Sequence, residues 1–484
     1  MGRASLLGLS LAILSLLVAA CGGQTTGATN VGQTTATLTA SGWCDPNDAG
    51  RIYWEVRKVG SSSWQRQYHD FDGRVLPQGG SKVQTTQCGS RLPASGSASL
   101  SQVIDGLTPG ASYQYRVGFR FTSNNGDAWT DSTGAVGPSD ANAVYHSFTT
   151  QPCDDTQGAS ETLAAFIASN PAGTSGDPQL LCVRGGTQTI GLVAPKAYQT
   201  IKGVSDNTLR GNVNIANTGV TLEDLKLEGC FATAGCSPGS AQNKVVMVNG
   251  SGATLRYDDI SQQGGKGAQD MQCIQVGEEP QGGPNIRPTG VVIENSRIHA
   301  CGVENGQFGP DHDHAIYCQN AAAPKFVGNW LYDAEGWGFH FYFNCDDSVI
   351  DGNMNAENGN SCVLGVIDGV DTTSNAHFRY GFCGFSRQHV TSGNPGASNE
   401  DPIHCEAGSP PVNGDTLDMV LYDPEAPGVT DCGSQLAQTN TLTADPGFVD
   451  RDGSDGTYDL RPTTTAAKEH TGLRYAENIP GPSW

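Results

Sequence analysis

Between residues 30 and 150, apolar and polar positions alternate with a period of two. Ile52, Trp54 and Val56 alternate with Tyr53, Glu55 and Arg57, and Tyr113, Tyr115, Val117, Phe119 and Phe121 alternate with polar residues or glycine. That period puts successive side chains on opposite faces of a strand. Residues 35–43 form a further strand candidate, and several short strands divided by Gly, Pro and Ser turns predict an antiparallel β-sandwich. At 160–169 the period changes. Leu163, Phe166 and Ile167 fall on one helical stripe, Ser160 is placed to cap it, Glu161 suits its first turn and Pro171 stops it. A lone amphipathic helix ahead of a long β-region suits a plug over the open end of a stacked solenoid.

Beyond that helix the pattern repeats. The segments 219–229, 252–260, 290–298 and 324–331 each place two apolar residues five apart: Leu222/Leu227, Leu255/Ile260, Ile293/Ile298 and Phe326/Leu331. A fifth segment, 348–355, gives Ile350 with Asn355. A constant step of five is what two short strands joined by a sharp elbow produce, each sending one side chain inward. The first anchors are spaced by 33, 38, 33 and 24 residues, so 24 corresponds to one uninterrupted turn and the longer intervals carry inserted loops. Further short strands precede each elbow at 245–248, 273–276, 315–319 and 339–343. Three strands per turn predict a right-handed parallel β-helix. Asn295, Asn329 and Asn353 near the elbows suit both a tight turn and a ladder of side-chain amides.

The spacing also predicts an outer face. Ile316 lies ten residues before Phe326 and His340 ten before Ile350, so the expected stacking is Ile316 on His340, both inward. Tyr317, Gln319, Phe341 and Phe343 then point outward, as candidates for stacking on sugar rings. The alternative is that an inserted loop such as 277–289 covers them.

Two resemblances rest on particular residues. Val31-Gly-Gln-Thr-Thr-Ala-Thr-Leu38, Leu107-Thr-Pro-Gly-Ala-Ser-Tyr-Gln-Tyr-Arg-Val117 and Phe148-Thr-Thr150 resemble a fibronectin type III domain, with an insertion at 61–99 and the Cys44/Cys88 pair departing from it. Asp313-His-Ala-Ile-Tyr-Cys-Gln-Asn320, Gly336-Trp-Gly-Phe-His-Phe-Tyr-Phe-Asn344 and the segment 444–462 are similar to phrases in bacterial members of the right-handed β-helix superfamily that includes pectate-lyase-like proteins. That resemblance implies polysaccharide lyases, which need a Lys or Arg base and calcium, or hydrolases, which need two or three placed carboxylates. The lyases' Trp-Ile-Asp-His phrase and the polygalacturonases' Gly-His-Gly and Arg-Ile-Lys phrases are absent, so no reaction carries over by motif.

The chain opens with Arg3 and an apolar run at 6–18 that is short for a membrane span. Leu17-Val-Ala-Ala-Cys-Gly-Gly23 resembles the lipobox of bacterial lipoproteins, which implies a lipid on Cys21; the alternative is an ordinary secretory peptide cut near Ala20. Both imply export to the cell envelope or extracellular surface. Setting Cys21 aside, 14 of 15 cysteines remain, an even number suited to disulfides in an oxidising compartment. Cys44/Cys88, Cys153/Cys182 and Cys230/Cys236 are candidate local bridges, and spacing leaves the other eight unpaired. The expected organisation is a signal peptide at 1–20, a flexible tether at 21–29, the sandwich at 30–150, a linker with capping helix at 151–181, the β-helix at 182–462 and a tail at 463–484.

Composition narrows the partners. The formal charge is −22 from 27 Lys+Arg against 49 Asp+Glu, which opposes phosphate binding and argues against a nucleic-acid partner. Glycine at 64 of 484, nearly double the usual share of ~7 %, argues against helical bundles. The Gly-rich loop at 302–314 concentrates candidate chemistry. Asp311, Asp313 and, from elsewhere, Asp346 are candidate calcium ligands; His312 and His314 are candidate acid/base or metal-binding groups; Lys266 and Arg297 are the candidate lyase bases. The same residues also suit turn hydrogen bonds and solvated surface charges. The functional expectations are therefore a polysaccharide lyase or glycosidase, a non-catalytic glycan-binding or adhesive surface protein, and a structural envelope spacer.

Overall fold

A computed structural model describes residues 21–44, 50–68, 76–77, 98–121, 127–130, 136–137, 144–230, 243–264, 271–278, 286–303, 313–342, 344–364, 366–367, 371–384, 403–405, 415–422, 429–430, 436–450 and 458–470. The signal segment, Cys88, Cys236, Lys266, Asp311, His312, Phe343 and residues 471–484 lie outside this set. The chain divides into two units, Met1–Pro152 and Cys153–Trp484.

The first unit is a two-sheet sandwich. One sheet orders Cys21–Thr29, Ala36–Cys44, Ala98–Asp105 and Leu76–Pro77; the other orders Gln65–Tyr68, Gly50–Lys58, Ser112–Phe121, Asp127–Thr130 and Val136–Gly137, with His146–Thr149 also along Ser112–Phe121. The predicted alternation holds: Ile52, Trp54, Val56, Tyr113, Tyr115 and Val117 join Leu38 and Ile104 in the core. On the opposite side of the same strands, Glu55 binds both Arg66 and Arg116 at 2.6 Å. The Trp64 ring meets the guanidinium groups of both Arg57 and Arg116, at 4.2 and 4.4 Å. The corner before Ser112–Phe121 is tied by the Thr108 N–H, which donates to the Tyr113 hydroxyl at 2.8 Å.

Residues 21–29 differ from the expected tether. They form an edge strand, in register from Cys21 opposite Cys44 to Thr29 opposite Thr37, with a bulge at Gly27. Small and β-competent side chains allow this, since Thr25 is buried and Ala28 packs on the core, and the strand gives the exposed edge of Ala36–Cys44 a partner.

The second unit is a parallel β-helix of three faces; parallel crossovers take the right-handed path almost without exception. The first face stacks Gln199–Gly203, Thr221–Glu223, Thr254–Arg256, Val292–Glu294, Lys325–Val327 and Val349–Asp351. The second stacks Lys226–Gly229, Asp259–Gln262, Arg297–His299, Trp330–Tyr332 and Met354–Ala356, and the third stacks Lys244–Val248, Gln272–Val276, Ile316–Cys318, Trp337–Phe341 and Asn360–Leu364. Inside, Leu181, Ile201, Leu222, Leu255, Ile293, Phe326, Ile350, Phe378 and Leu417 form one continuous column. Leu209, Leu227, Ile260, Ile298 and Leu331 form a second, which continues into buried Asn355 and Cys383. The step of five is thus the distance between two interior columns across an elbow.

The elbow itself needs left-handed backbone, supplied by Asp224, Tyr257, Asn295, Gly328, Gly352 and Tyr380, all at φ between 49° and 68°. Asn295 therefore takes the turn role expected of the asparagines, while Asn329 and Asn353 take the ladder role. The Asn353 side-chain oxygen accepts from the Asn329 backbone N–H at 3.0 Å, and the Asn329 oxygen accepts from Ser296 N–H at 3.0 Å. Two coils earlier the ladder position carries Asp258, whose Oδ1 accepts from Leu225 N–H at 2.9 Å. Burial pushes the Asp258 carboxyl well above the ordinary aspartate value.

The capping helix spans Leu163–Ser169, and its buried Leu163, Phe166 and Ile167 join the interior core. Thr162, not Ser160, is the cap: its hydroxyl accepts from Ala165 N–H at 3.2 Å. The helix starts three residues late because Gly158 and Ser160 are spent on a turn whose Gly158 N–H donates to the Glu161 carboxylate. Four disulfides fasten the coils among the described residues: the expected Cys153–Cys182, and Cys273–Cys301, Cys318–Cys345 and Cys362–Cys383. Cys230 is also disulfide-bonded.

The β-helix was expected to run to 462, and it does not. Among the described residues the last parallel strands are Ala437–Thr439 and Leu442–Thr443. Phe448–Asp450 and Asp459–Pro462 pair antiparallel, and with the helix Thr465–His470 they cover the outside of the second face, where Phe448, Leu460 and Ala467 pack on Trp330, Tyr332, Met354 and Phe382. Outward apolar residues on those strands need such a cover.

Candidate functional site

The third face differs from the expected register by one residue. Ile316 stacks on Phe339, Tyr317 on His340, and Cys318 on Phe341. The physical reason lies at the next corner. Asn320 and Asn344 are equivalent left-handed residues, but one residue, Gln319, separates Cys318 from Asn320, whereas two, Tyr342 and Phe343, separate Phe341 from Asn344. From this coil to the next the third face advances 23 residues, Ile316 to Phe339, where the first and second advance 24, and a slip of one exchanges inside for outside. Phe339 and Phe341 are therefore interior, 1 % and 0 % exposed, with the Phe341 ring centroid 5.5 Å from that of Phe326. Phe341 is corrected from a binding residue to a core residue, and His340 from core to the outer column.

That outer column runs Met247, Gln275, Tyr317 and His340. Beside it, where the chain enters the face, His314 stacks on Trp337 with rings 5.0 Å apart and nearly parallel, and it meets His340 edge-on at 4.7 Å. His340 Nδ1 and His314 Nε2 are 3.3 Å apart, close enough to share a proton. Tyr317 lies 5.1 Å from His340, and Tyr342 5.5 Å from His340 and 6.0 Å from Tyr317. The imidazoles and Trp337 are buried, while both tyrosines are half-buried and form the open rim of the cluster. Gln275 Nε2 donates to Gln319 Oε1 at 3.2 Å and to the Gly277 carbonyl at 2.9 Å, so the amides are oriented.

The other candidates separate. Asp313, buried at the corner entering the third face, accepts from Val303 N–H through Oδ2 at 2.9 Å. Asp346, at the corner leaving it, is ion-paired with Arg287 and accepts from Ser374 N–H at 2.8 Å. These carboxylates belong to different corners, and no group of three His, Cys, Asp or Glu side chains suited to a metal forms among the described residues. Asp311, the third carboxylate of the expected calcium set, lies outside the described residues. Arg297 sits on the second face, its guanidinium 2.6 Å from Asp259, which also meets His299 Nε2 at 2.8 Å. Burial pulls the Asp259 carboxyl up, but His299 and Arg297 outweigh it and hold it at about 2. A guanidinium committed to that pair is poorly placed as a base for the third face. The residues missed by sequence reasoning, His340, Trp337, Tyr342 and Gln275, become visible only with the correct register.

No known protein family matches the chain, and no curated protein does. Among solved structures it is similar to the Dettilon tailspike protein gp208, at 13 % identity over 60 % of this chain and 65 % of that one, with a TM-score of 0.35. It is similar to the pectate lyase Pel9A at 13 % identity over 65 % and 80 %, TM-score 0.32. A family 28 exopolygalacturonase of Yersinia enterocolitica matches at 10 % identity over 88 % and 92 %, TM-score 0.26. Scores this low are no basis for transferring an activity, and the architecture stands on its own strand register.

Proposed function

We propose that the β-helix engages polysaccharide on its third face, in an exported protein anchored by a lipid on Cys21 with the first unit as a fibronectin type III-like stalk. One observation carries the glycan reading: Tyr317 and Tyr342 form a half-open aromatic rim on an outer strand face, backed by oriented amides. Aromatic rings that combine an apolar face with a polar tip suit the alternating C–H and hydroxyl surface of sugars. The Tyr113 corner supports the stalk, and the four disulfides suit an oxidising compartment. The test is migration of the protein through gels containing a panel of polysaccharides. Retardation that Tyr317→Ala and Tyr342→Ala each weaken by about tenfold in apparent affinity is the expected result; free migration in every gel removes the reading.

A second reading, turnover of the bound glycan by elimination or hydrolysis, is favoured by the His314–His340 contact, which can hold or move a proton beside the rim. Unsaturated-product absorbance and reducing ends, followed for the intact protein and for His340→Asn, separate turnover from binding alone.

A further inference from the structure

The charged side chains of the β-helix are not spread evenly over its three faces. On the outer side of the first face, Arg256 pairs with Glu223 at 2.7 Å and Arg379 with Asp351 at 2.9 Å. On the second, Arg210 pairs with Glu228 at 2.9 Å and Arg297 with Asp259 at 2.6 Å. Arg287 holds Asp346 at the corner beyond the third face. Among the described residues, the outer column of the third face from Asn214 to His340 carries an amide, a thioether, a second amide, a phenol and an imidazole in succession. Lys244 opens the strand Lys244–Val248 of this face; its ammonium donates to the Asn243 side chain at 3.1 Å and feels the charge of Glu278.

We propose that the third face selects uncharged sugar rings, so that the ligand is a neutral polysaccharide and not a uronate polymer. The inference rests on the glycan reading above and narrows it. A uronate carboxylate brought against a protein surface needs a guanidinium, an ammonium or a bound cation to replace its water. Among the described residues, the guanidinium groups of Arg210, Arg256, Arg297 and Arg379 stand on the other two faces, each paired with a carboxylate, and that of Arg287 is held by Asp346 at the corner. Neutral sugars need what the rim of the third face presents: half-buried phenol rings, each with an apolar plane and a hydroxyl tip. The chain's net charge of −22 adds a long-range repulsion against any polyanion.

The experiment measures retardation of the full chain in gels containing galactomannan, β-glucan or xylan, and in gels containing polygalacturonate with and without calcium. The expected result is retardation by at least one neutral polymer, unchanged between about 50 and about 500 mM salt because no ion pairing is involved. Tyr317→Gln, which extends the amide column of Gln275 and keeps the fold, is expected to weaken it by about tenfold. Tyr380→Asn, at an exposed elbow on another side of the helix, is expected to leave it in place. Retardation by polygalacturonate alone, falling with salt and lost in Tyr317→Gln, overturns the neutral class while leaving the glycan reading standing. Free migration in all gels overturns both.

Discussion

Asp415 shows how one side chain is set by its neighbours. It is 1 % exposed, its Oδ1 accepts from Ala376 N–H at 2.7 Å, and its Oδ2 has no hydrogen-bond partner among the described residues. Burial raises its carboxyl most; the Ala376 bond opposes this and the Asp346 charge adds to it, bringing the group from 3.8 to about 7. Between those values the folded chain holds a proton that the unfolded chain has released. The stability this contributes is complete below pH 3.8 and is lost as pH rises through about 7. Asp259 acts in the opposite sense: held at about 2, it contributes fully above 3.8 and loses that contribution as pH falls through about 2. Denaturation midpoints measured between pH 5 and pH 8 are expected to decline with pH in the native chain and to flatten in Asp415→Asn, by on the order of 2–4 kcal/mol across the interval. An unchanged slope in the variant contradicts the assignment.

At the scale of strands, the register of Trp337–Phe341 decides which substitutions touch the core. Phe341→Ala removes a fully buried ring from contact with Phe326, Phe339 and Phe378 and is expected to cost about 3–5 kcal/mol. Tyr317→Ala, on the outer column, is expected to cost under about 1 kcal/mol; urea midpoints of the two variants distinguish the registers. Leu222/Leu227 and their successors were legible in the sequence because the elbow has a fixed length, so the interior columns repeat whatever loops are inserted elsewhere. The third face was less legible. Its position was counted across a corner that holds one extra residue in one coil, and nothing in the residues 341–344 marks that insertion locally. The covering hairpin was hidden for a different reason: Phe448 and Leu460 alternate as a coil strand would, and only their antiparallel pairing tells a lid from another rung. Of the candidate site, Tyr317 lies on the outer column beside His314, and Gln319 accepts from Gln275, while Arg297 stands on the second face paired with Asp259.

Across the second unit, the described disulfides other than Cys153–Cys182 fall within the stacked coils, at separations of 28, 27 and 21 residues, about one turn each. Each closes a loop whose entropy loss in the unfolded chain corresponds to roughly 3 kcal/mol. Reduction is expected to lower the thermal midpoint of the second unit without changing the far-ultraviolet spectrum at low temperature, since the interior columns and the ladder remain. Alkylation of native protein after mild reduction, read by mass spectrometry, is expected to spare Cys182, Cys273, Cys301, Cys318, Cys345 and Cys362, which are buried to 1 % exposure or less.

The additional residue between Phe341 and Asn344 separates two kinds of inheritance. Because the slip is absorbed within a single corner, a gain or loss of one position there would turn an entire strand over while every rung of the other walls kept its neighbours. The outward surface of that strand can thus be rewritten by the smallest possible change in chain length, leaving the scaffold that bears it untouched.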